Sequence, residues 1–213
     1  LNILECCKTY KAKKLLFASS SSVYGNNDSV PFKETDPVDH PISPYAATKK
    51  AGELMCYNYH HLYNIPTACI RFFTVYGPRQ RPEMAIHKFT KLIDEGQEIP
   101  VFNQGQCFRD YTFVDDIIQG ITKLLNADLT YDIVNLGESK TISTLDLIKL
   151  IENALGKKAQ LNLMPAQEGD VDRTFADISK ASSTYSYQPT TTIQEGVLKF
   201  MEWYKEKNYS NVT

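Results

Sequence analysis

The sequence contains no apolar run long enough to cross a bilayer and no signal-peptide pattern at its start, so no membrane partner is expected. It lacks a charge excess: the net charge is −2 over 213 residues, which gives no reason to expect nucleic acid or an anionic surface as a partner. Cysteine is sparse. The five, at 6, 7, 56, 69 and 107, are odd in number and form no CxxC, so neither a disulfide framework nor a zinc site is expected. Reduced thiols point to the cytoplasm. Histidine is also scarce. His60 and His61 are adjacent, so they point in different directions on a helix and make a poor metal pair. No GxSxG is present and no histidine stands near Ser20, which makes a serine hydrolase remote. Repeats and low-complexity linkers are absent too. The chain opens on Leu1, inside a helical pattern that runs straight into a strand. That opening is expected of a fragment whose first elements lie upstream.

What is present reads as alternating strands and helices. Residues 2–11 read as the end of a helix and Leu15 to Ser20 as a buried strand. That strand runs into four serines, "SSSSVYG" (19–25), although serine is a poor strand former and a buried hydroxyl needs a partner. A serine-rich turn is one explanation. A site is the other, because ligands of open α/β sheets bind beyond the carboxyl ends of the strands. A proline-rich loop follows, and then "SPYAATKKAGELMCYNYHHLYN" reads as a long helix with Pro44 near its start. "IPTACIRFFTVYG" reads as the next strand, ended by Gly77-Pro78. Strand, helix, strand is a βαβ unit and implies a parallel sheet.

Beyond Pro78 the pattern is more mixed. A short helix ends at Gly96, and "IPVFNQGQCFRDYTFV" reads as two short strands joined by a turn at Asn103–Gln106. Asp115 or Asp116 is placed to cap the helix "DDIIQGITKLLN". "YDIVNLG" reads as a buried strand, "STLDLIKLIENALG" as a helix, "AQLNLMPA" as a strand, and two helices close the chain. The expected architecture is α/β: a partial Rossmann unit, a doubly wound parallel sheet lacking its first strands, with a smaller mixed α/β substrate domain. Residues 1–77 form the first part and 78–213 mainly the second, with about 110–137 returning to the Rossmann sheet.

Tyr45 and Lys49 are four residues apart, so they share one helix face, one turn apart. On its own such a pair is a surface tyrosine above a solvated lysine. Here the helix follows a strand that ends in serines and precedes one that ends "RFFTVYG", so all three features can converge at one end of a parallel sheet. An ammonium fixed beside a phenol favours the phenolate, and a phenolate poised near working pH takes a proton from a sugar hydroxyl. A serine hydroxyl can bond the same oxygen.

"FASSSSVYG", "SPYAATKKAGE", "IRFFTVYGPRQRP", "FRDYTFVDDI" and "GDVDRTFADISKA", in that order, resemble the extended short-chain dehydrogenase/reductases, and among them the nucleotide-sugar 4-epimerases. A lone YxxxK is weak, but five ordered motifs covering almost the whole chain are strong. The resemblance implies a Rossmann domain holding NAD and a smaller domain holding a UDP-sugar. By position it implies Tyr45 as the general base with Lys49 as its partner, both at the nicotinamide ribose, and Ser20 and Ser22 as the active-site hydroxyls. Phe73 would lie beside the nicotinamide carboxamide and Thr74 beside the sugar or diphosphate. Val101 and Phe102 would flank the uracil, and Arg109 and Arg173 would meet the diphosphate. Arginine forks suit phosphate oxygens, which supports the last two independently. The implied reaction oxidises C4 of the sugar with NAD, turns the 4-keto sugar over, and returns hydride to its opposite face.

Two positions narrow the resemblance. Dehydratases and decarboxylases of this group usually carry an acid just before "VYG"; here Ser21 and Ser22 stand there, and a hydroxyl is a far weaker acid–base group at neutral pH. "TVYGPRQRPEMA", with Thr74 where hexose epimerases commonly have Asn, looks more like the UDP-glucuronate 4-epimerases. Arg81 with Thr74 would then receive the sugar carboxylate, while Arg79 reads as part of a solvated loop. The open alternatives are a UDP-glucose or UDP-N-acetylglucosamine 4-epimerase, and a truncated, non-catalytic remnant that only binds nucleotide sugar. The second draws on a departure from the family: the glycine-rich GxxGxxG turn and the acidic residue for the adenosine ribose have no match in the sequence. Without the preceding strands, the "KLLFASS" strand is expected to be a bare edge that needs covering. The resemblance also implies a homodimer formed through the Tyr45 helix.

Overall fold

The computed structural model describes residues 1–166 and 173–209. Along the chain run α1 (Asn2–Thr9), β1 (Leu15–Ala18), α2 (Pro44–Tyr63), β2 (Thr67–Phe72), β3 (Thr74–Tyr76), α3 (Ala85–Asp94), β4 (Glu98–Val101), β5 (Phe108–Arg109), β6 (Tyr111–Phe113), α4 (Val114–Asn126), β7 (Tyr131–Leu136), β8 (Ile142–Ser143), α5 (Thr144–Leu155), β9 (Gln160–Leu163), α6 (Ser179–Tyr185) and α7 (Ile193–Tyr209). Of the motif "GDVDRTFADISKA", residues 169–172 lie outside the described residues.

The first layer is a parallel sheet in the order β1-β2-β7, with Leu15 opposite Thr67 and Thr67 opposite Tyr131. β2 sits in the middle and is buried along nearly its whole length, which suits its continuous apolar run. β1 is the edge: among the described residues no strand pairs with its outer side. The βαβ crossover is α2. Its N-cap, Ser43, accepts the N–H of Ala46 (3.1 Å), Pro44 occupies its first turn, and Asn64 ends it in the left-handed region at φ 53°. Gly52 lets α2 approach β1 closely, because a Cβ there would stand 2.2 Å from the Phe17 ring.

Ala68, Ile70, Ile117, Leu124, Val134, Leu136 and Tyr187 build the core of this layer, so the chain returns to it with α4 and β7. A second core lies among α3, α5 and α7, with Ile86, Ile93, Ile99, Leu147, Ile151 and Phe200 at its centre. Small two-stranded pairings frame this core: parallel β3-β6 and β4-β9, and antiparallel β5-β8.

Three local expectations are corrected. The run 65–77 is not one strand: it breaks at Phe73, so that β2 joins the large sheet and β3 pairs with β6. Residues 98–113 do not form a hairpin. Asn103 and Gln104 both adopt left-handed conformations (φ 48° and 50°), and the strands on either side pair with β9, β8 and β3 rather than with each other. Neither Asp115 nor Asp116 caps α4, whose N-cap is Phe113. Asp116 instead accepts the N–H groups of Thr190 and Thr191 (both 3.0 Å) and so pins the approach to α7.

Candidate active site

β1 ends at Ala18, and a short 3₁₀ turn, Ser21–Tyr24, starts at once. The four serines divide the work. Ser19 is buried and donates to Glu53 Oε1 (2.6 Å). Ser20 caps the 3₁₀ turn by accepting the N–H of Ser22 (3.1 Å), and its hydroxyl lies 3.1 Å from that of Ser22. Ser21 and Ser22 face outward into a cleft.

That cleft, about 590 Å³, is lined by the serines, Tyr45 and Lys49, by Phe73 and Thr74 at the β2–β3 break, and by Arg79, Gln80 and Arg81. The geometry therefore gathers Ser20, Ser22, Tyr45, Lys49, Phe73, Thr74 and Arg81 into one space. The Lys49 ammonium donates to the Ala18 carbonyl (2.9 Å) and stands 5.5 Å from the centre of the Tyr45 ring, so the strand end fixes the lysine beside the phenol. Phe73 is part of the wall, although its ring packs with Tyr24 and Phe32 and is 3% exposed. Arg81 reaches outward to Glu83 (Nε to Oε1, 3.4 Å). Arg79, read from the sequence as a solvated loop residue, is also on the cleft wall, with its backbone in the left-handed region at φ 66°.

Beneath the cleft lies a polar layer that the motif reading missed. Arg71, on β2, is fully buried and forms a two-pronged pair with Glu53 of α2: Nε to Oε1 and Nη2 to Oε2, both 2.9 Å. Its remaining terminal nitrogen reaches Tyr24 Oη (3.1 Å), which donates to Asn135 Oδ1 (2.7 Å) on β7. Burial pushes the Tyr24 phenol up to about 12, against the pull of Arg71, so it stays a donor. A signal for this layer was available: an arginine inside a buried apolar strand must find a carboxylate.

The other end of the site is separate. Phe102 and Arg109 line a second cavity of about 250 Å³ with Ala85, Phe89, Tyr111 and Thr144. Arg173 forms an isolated bridge beside Phe108 and holds its guanidinium 5.1 Å from the Phe108 ring centre, next to Arg109 on β5. Val101 departs from expectation. Its side chain is fully buried in the second core and its carbonyl accepts the Met164 N–H (2.8 Å), so it offers no side-chain surface to a base. A residue at the inward position of a short strand fills the core whatever its neighbours do. Among the described residues no group of three or more His, Cys, Asp or Glu is placed to hold a metal.

A parallel sheet ending in serines, with a Tyr–Lys face on its crossover helix and a cleft between them, defines the short-chain dehydrogenase/reductase class. The comparisons with known proteins agree and narrow it. Residues 1–200 match the family described as GDP-mannose 4,6 dehydratase, and the chain belongs to that family. A UDP-glucuronate 4-epimerase of Thermodesulfobacterium geofontis is 45% identical over 97% of the chain and 64% of its own length. The crystal structure of UDP-glucuronic acid 4-epimerase from Bacillus cereus, in complex with UDP-glucuronic acid and NAD, superposes with a TM-score of 0.90 at 37% identity, covering 96% of this chain and 65% of that one. UDP-glucose 4-epimerase from Thermotoga maritima, with UDP-glucose, gives a TM-score of 0.91 at 28% identity over 96% and 67%. The chain spans about two thirds of the length of the relatives it matches.

Proposed function

We propose that the protein containing this chain is an NAD-dependent nucleotide-sugar 4-epimerase that inverts C4 of UDP-glucuronate. The observation that carries the proposal is the single cleft in which Ser20, Ser22, Tyr45, Lys49, Thr74 and Arg81 all present surface. Tyr45 takes the proton of the sugar O4 and returns it after C4 has been inverted, with Ser20 and Ser22 holding the same oxygen by hydrogen bonds. Lys49, anchored on the Ala18 carbonyl, keeps positive charge beside the phenol throughout. Thr74 and Arg81 receive the sugar carboxylate, Arg109 and Arg173 the diphosphate, and Phe102 the base.

The residues present fit the nicotinamide end of NAD. Tyr45 and Lys49 offer a phenol and an ammonium from one helix face to the ribose hydroxyls, and Phe73 contributes an apolar wall. When bound, NAD supplies the oxidation and re-reduction at C4.

The exposed apolar side chains of α2 (Leu54, Met55, Tyr57, Leu62 and Tyr63) support a homodimer formed through that helix. All five cysteines are free, which suits a cytoplasmic enzyme, and the product, an activated uronate, suits polysaccharide synthesis. One observation favours a second reading, UDP-glucose or UDP-N-acetylglucosamine as substrate: Arg81 is turned toward Glu83 rather than held inward.

The test is to incubate the protein with NAD and each UDP-sugar and read the products by NMR. UDP-galacturonate from UDP-glucuronate is expected. Replacing Arg81 with Ala should cut kcat/KM on UDP-glucuronate by about 10- to 100-fold, the range of a lost charge-assisted bond, and leave UDP-glucose turnover little changed. Equal losses on both would sink the carboxylate role. Binding of UDP-sugar without any turnover would make the chain a non-catalytic remnant.

A further inference from the structure

Asp110 follows Arg109 directly and has no exposed surface. Its carboxylate takes four donors from three directions. Oδ1 accepts the Glu138 N–H (2.8 Å) and the Thr112 hydroxyl (3.3 Å), and Oδ2 accepts the N–H groups of Ser139 (3.0 Å) and Ala176 (3.1 Å). Its backbone is equally committed: the Asp110 N–H donates to Thr174 Oγ1 (3.3 Å) and its carbonyl accepts the Thr74 N–H (3.1 Å). The neighbouring Phe108 carbonyl accepts the Thr174 N–H (3.0 Å) and also the Arg109 Nη1 (3.1 Å).

Three pieces of chain thus meet at one buried side chain: the β5–β6 connection with Arg109, the turn after β7, and the segment after Arg173. Space is tight there. A Cβ on Gly137 would stand 2.5 Å from the Ala176 Cβ and 3.1 Å from Asp110 Oδ2. The two arginines come from positions 64 residues apart in sequence, and segment 174–176 has no pairing with the large sheet to place it. On the Arg173 side it is attached to Phe108 and Asp110; further on, Phe32 donates its N–H to the Phe175 carbonyl (2.7 Å) and Ser139 its hydroxyl to the Ala176 carbonyl (2.9 Å), so Asp110 governs the end that carries Arg173.

We propose that Asp110 is the positioning residue that sets Arg109 and Arg173 as one pair for the nucleotide diphosphate. This rests on the reading of those arginines given above. Asp110 touches no substrate; it acts through the backbone it holds. An asparagine in its place can keep the two bonds to one oxygen, but its amide hydrogens then face the Glu138 N–H and the Thr112 hydroxyl. Segment 174–176 is expected to shift, and with it the spacing of the guanidinium groups.

The experiment measures UDP binding by calorimetry, and KM and kcat for the UDP-sugar, on the wild type, Asp110→Asn and Thr174→Val. For Asp110→Asn we expect UDP affinity weaker by about tenfold or more, KM for the UDP-sugar raised in step, and kcat within about threefold of wild type. Thr174→Val, which removes only the acceptor for the Asp110 N–H, should shift both quantities in the same direction by less. It also serves as the deciding variant if Asp110→Asn does not fold. A folded Asp110→Asn that binds UDP as tightly as wild type overturns the clamp and leaves the functional reading intact. So does a fall in kcat with KM unchanged, or an unaltered Thr174→Val where it is the only folded variant. Wild-type protein that does not bind UDP overturns both.

Discussion

The rim of the cleft and the layer beneath it use similar polar residues in opposite ways. At the rim, Tyr45 is 54% exposed, Arg81 reaches Glu83 at the surface, and Ser21 and Ser22 line the cleft, the Ser22 hydroxyl accepting only from that of Ser20 among the described residues. Beneath, Glu53, Arg71, Tyr24, Asn135 and Asp110 are buried and paired at nearly every polar atom. The rim residues remain available to meet a substrate because the layer below fixes the backbone that carries them. Ser19 shows the division most clearly: it bonds Glu53 while its neighbour Ser20 lines the cleft.

The difference is open to direct test. At the rim, Tyr45→Phe should lower epimerase turnover by about 10²- to 10⁴-fold, the usual worth of a general base. Its urea midpoint should stay near wild type, because the lost hydroxyl belongs to a solvent-facing side chain; a coincident loss of stability would erase the distinction. In the buried layer the effect should invert. Glu53→Ala leaves the Arg71 guanidinium unpaired, and should cost about 3–5 kcal/mol in urea unfolding.

Acid sharpens the contrast. Burial raises the Asp110 carboxyl to about 6, against the backbone N–H groups that favour its ionised form. The folded state therefore binds this proton more tightly than the unfolded chain does. The Asp110 contribution is greatest at and below the ordinary carboxyl value of 3.8, is lost as pH rises from there to about 6, and is level above that. Unfolding free energies of wild type minus Asp110→Asn should fall by up to about 3 kcal/mol over that interval. A flat difference would show that the carboxyl titrates alike in both states. The smallest effect belongs to the helix that carries the rim: Ser43→Ala removes the α2 cap and should cost about 1 kcal/mol with little change in KM.

The rim was legible in the sequence and most of the floor was not. Tyr45 and Lys49 announce themselves by helical spacing, and the serines by ending an apolar strand. Glu53, four residues beyond Lys49, reads as one more polar helix position, and only the fold brings Arg71 against it across 18 residues. The βαβ order was readable because strand and helix periods differ. The 98–113 region was misread as a hairpin because local turn residues say nothing about distant partners, here β3, β8 and β9. The burial of the Val101 side chain was not legible, because motif position fixes where a residue stands along the chain and leaves open whether its side chain points into the core.

The break at Phe73 has a mechanical meaning. Two consecutive amides are tied to different partners, Phe73 to the Leu136 carbonyl at the end of β7 and Thr74 to that of Asp110 just before β6. The two peptide units that flank Phe73 are thus stitched one into each layer, and hinging the layers apart there would break a hydrogen bond on one side or the other. Any relative movement of the two layers is therefore expected to be smallest at this point.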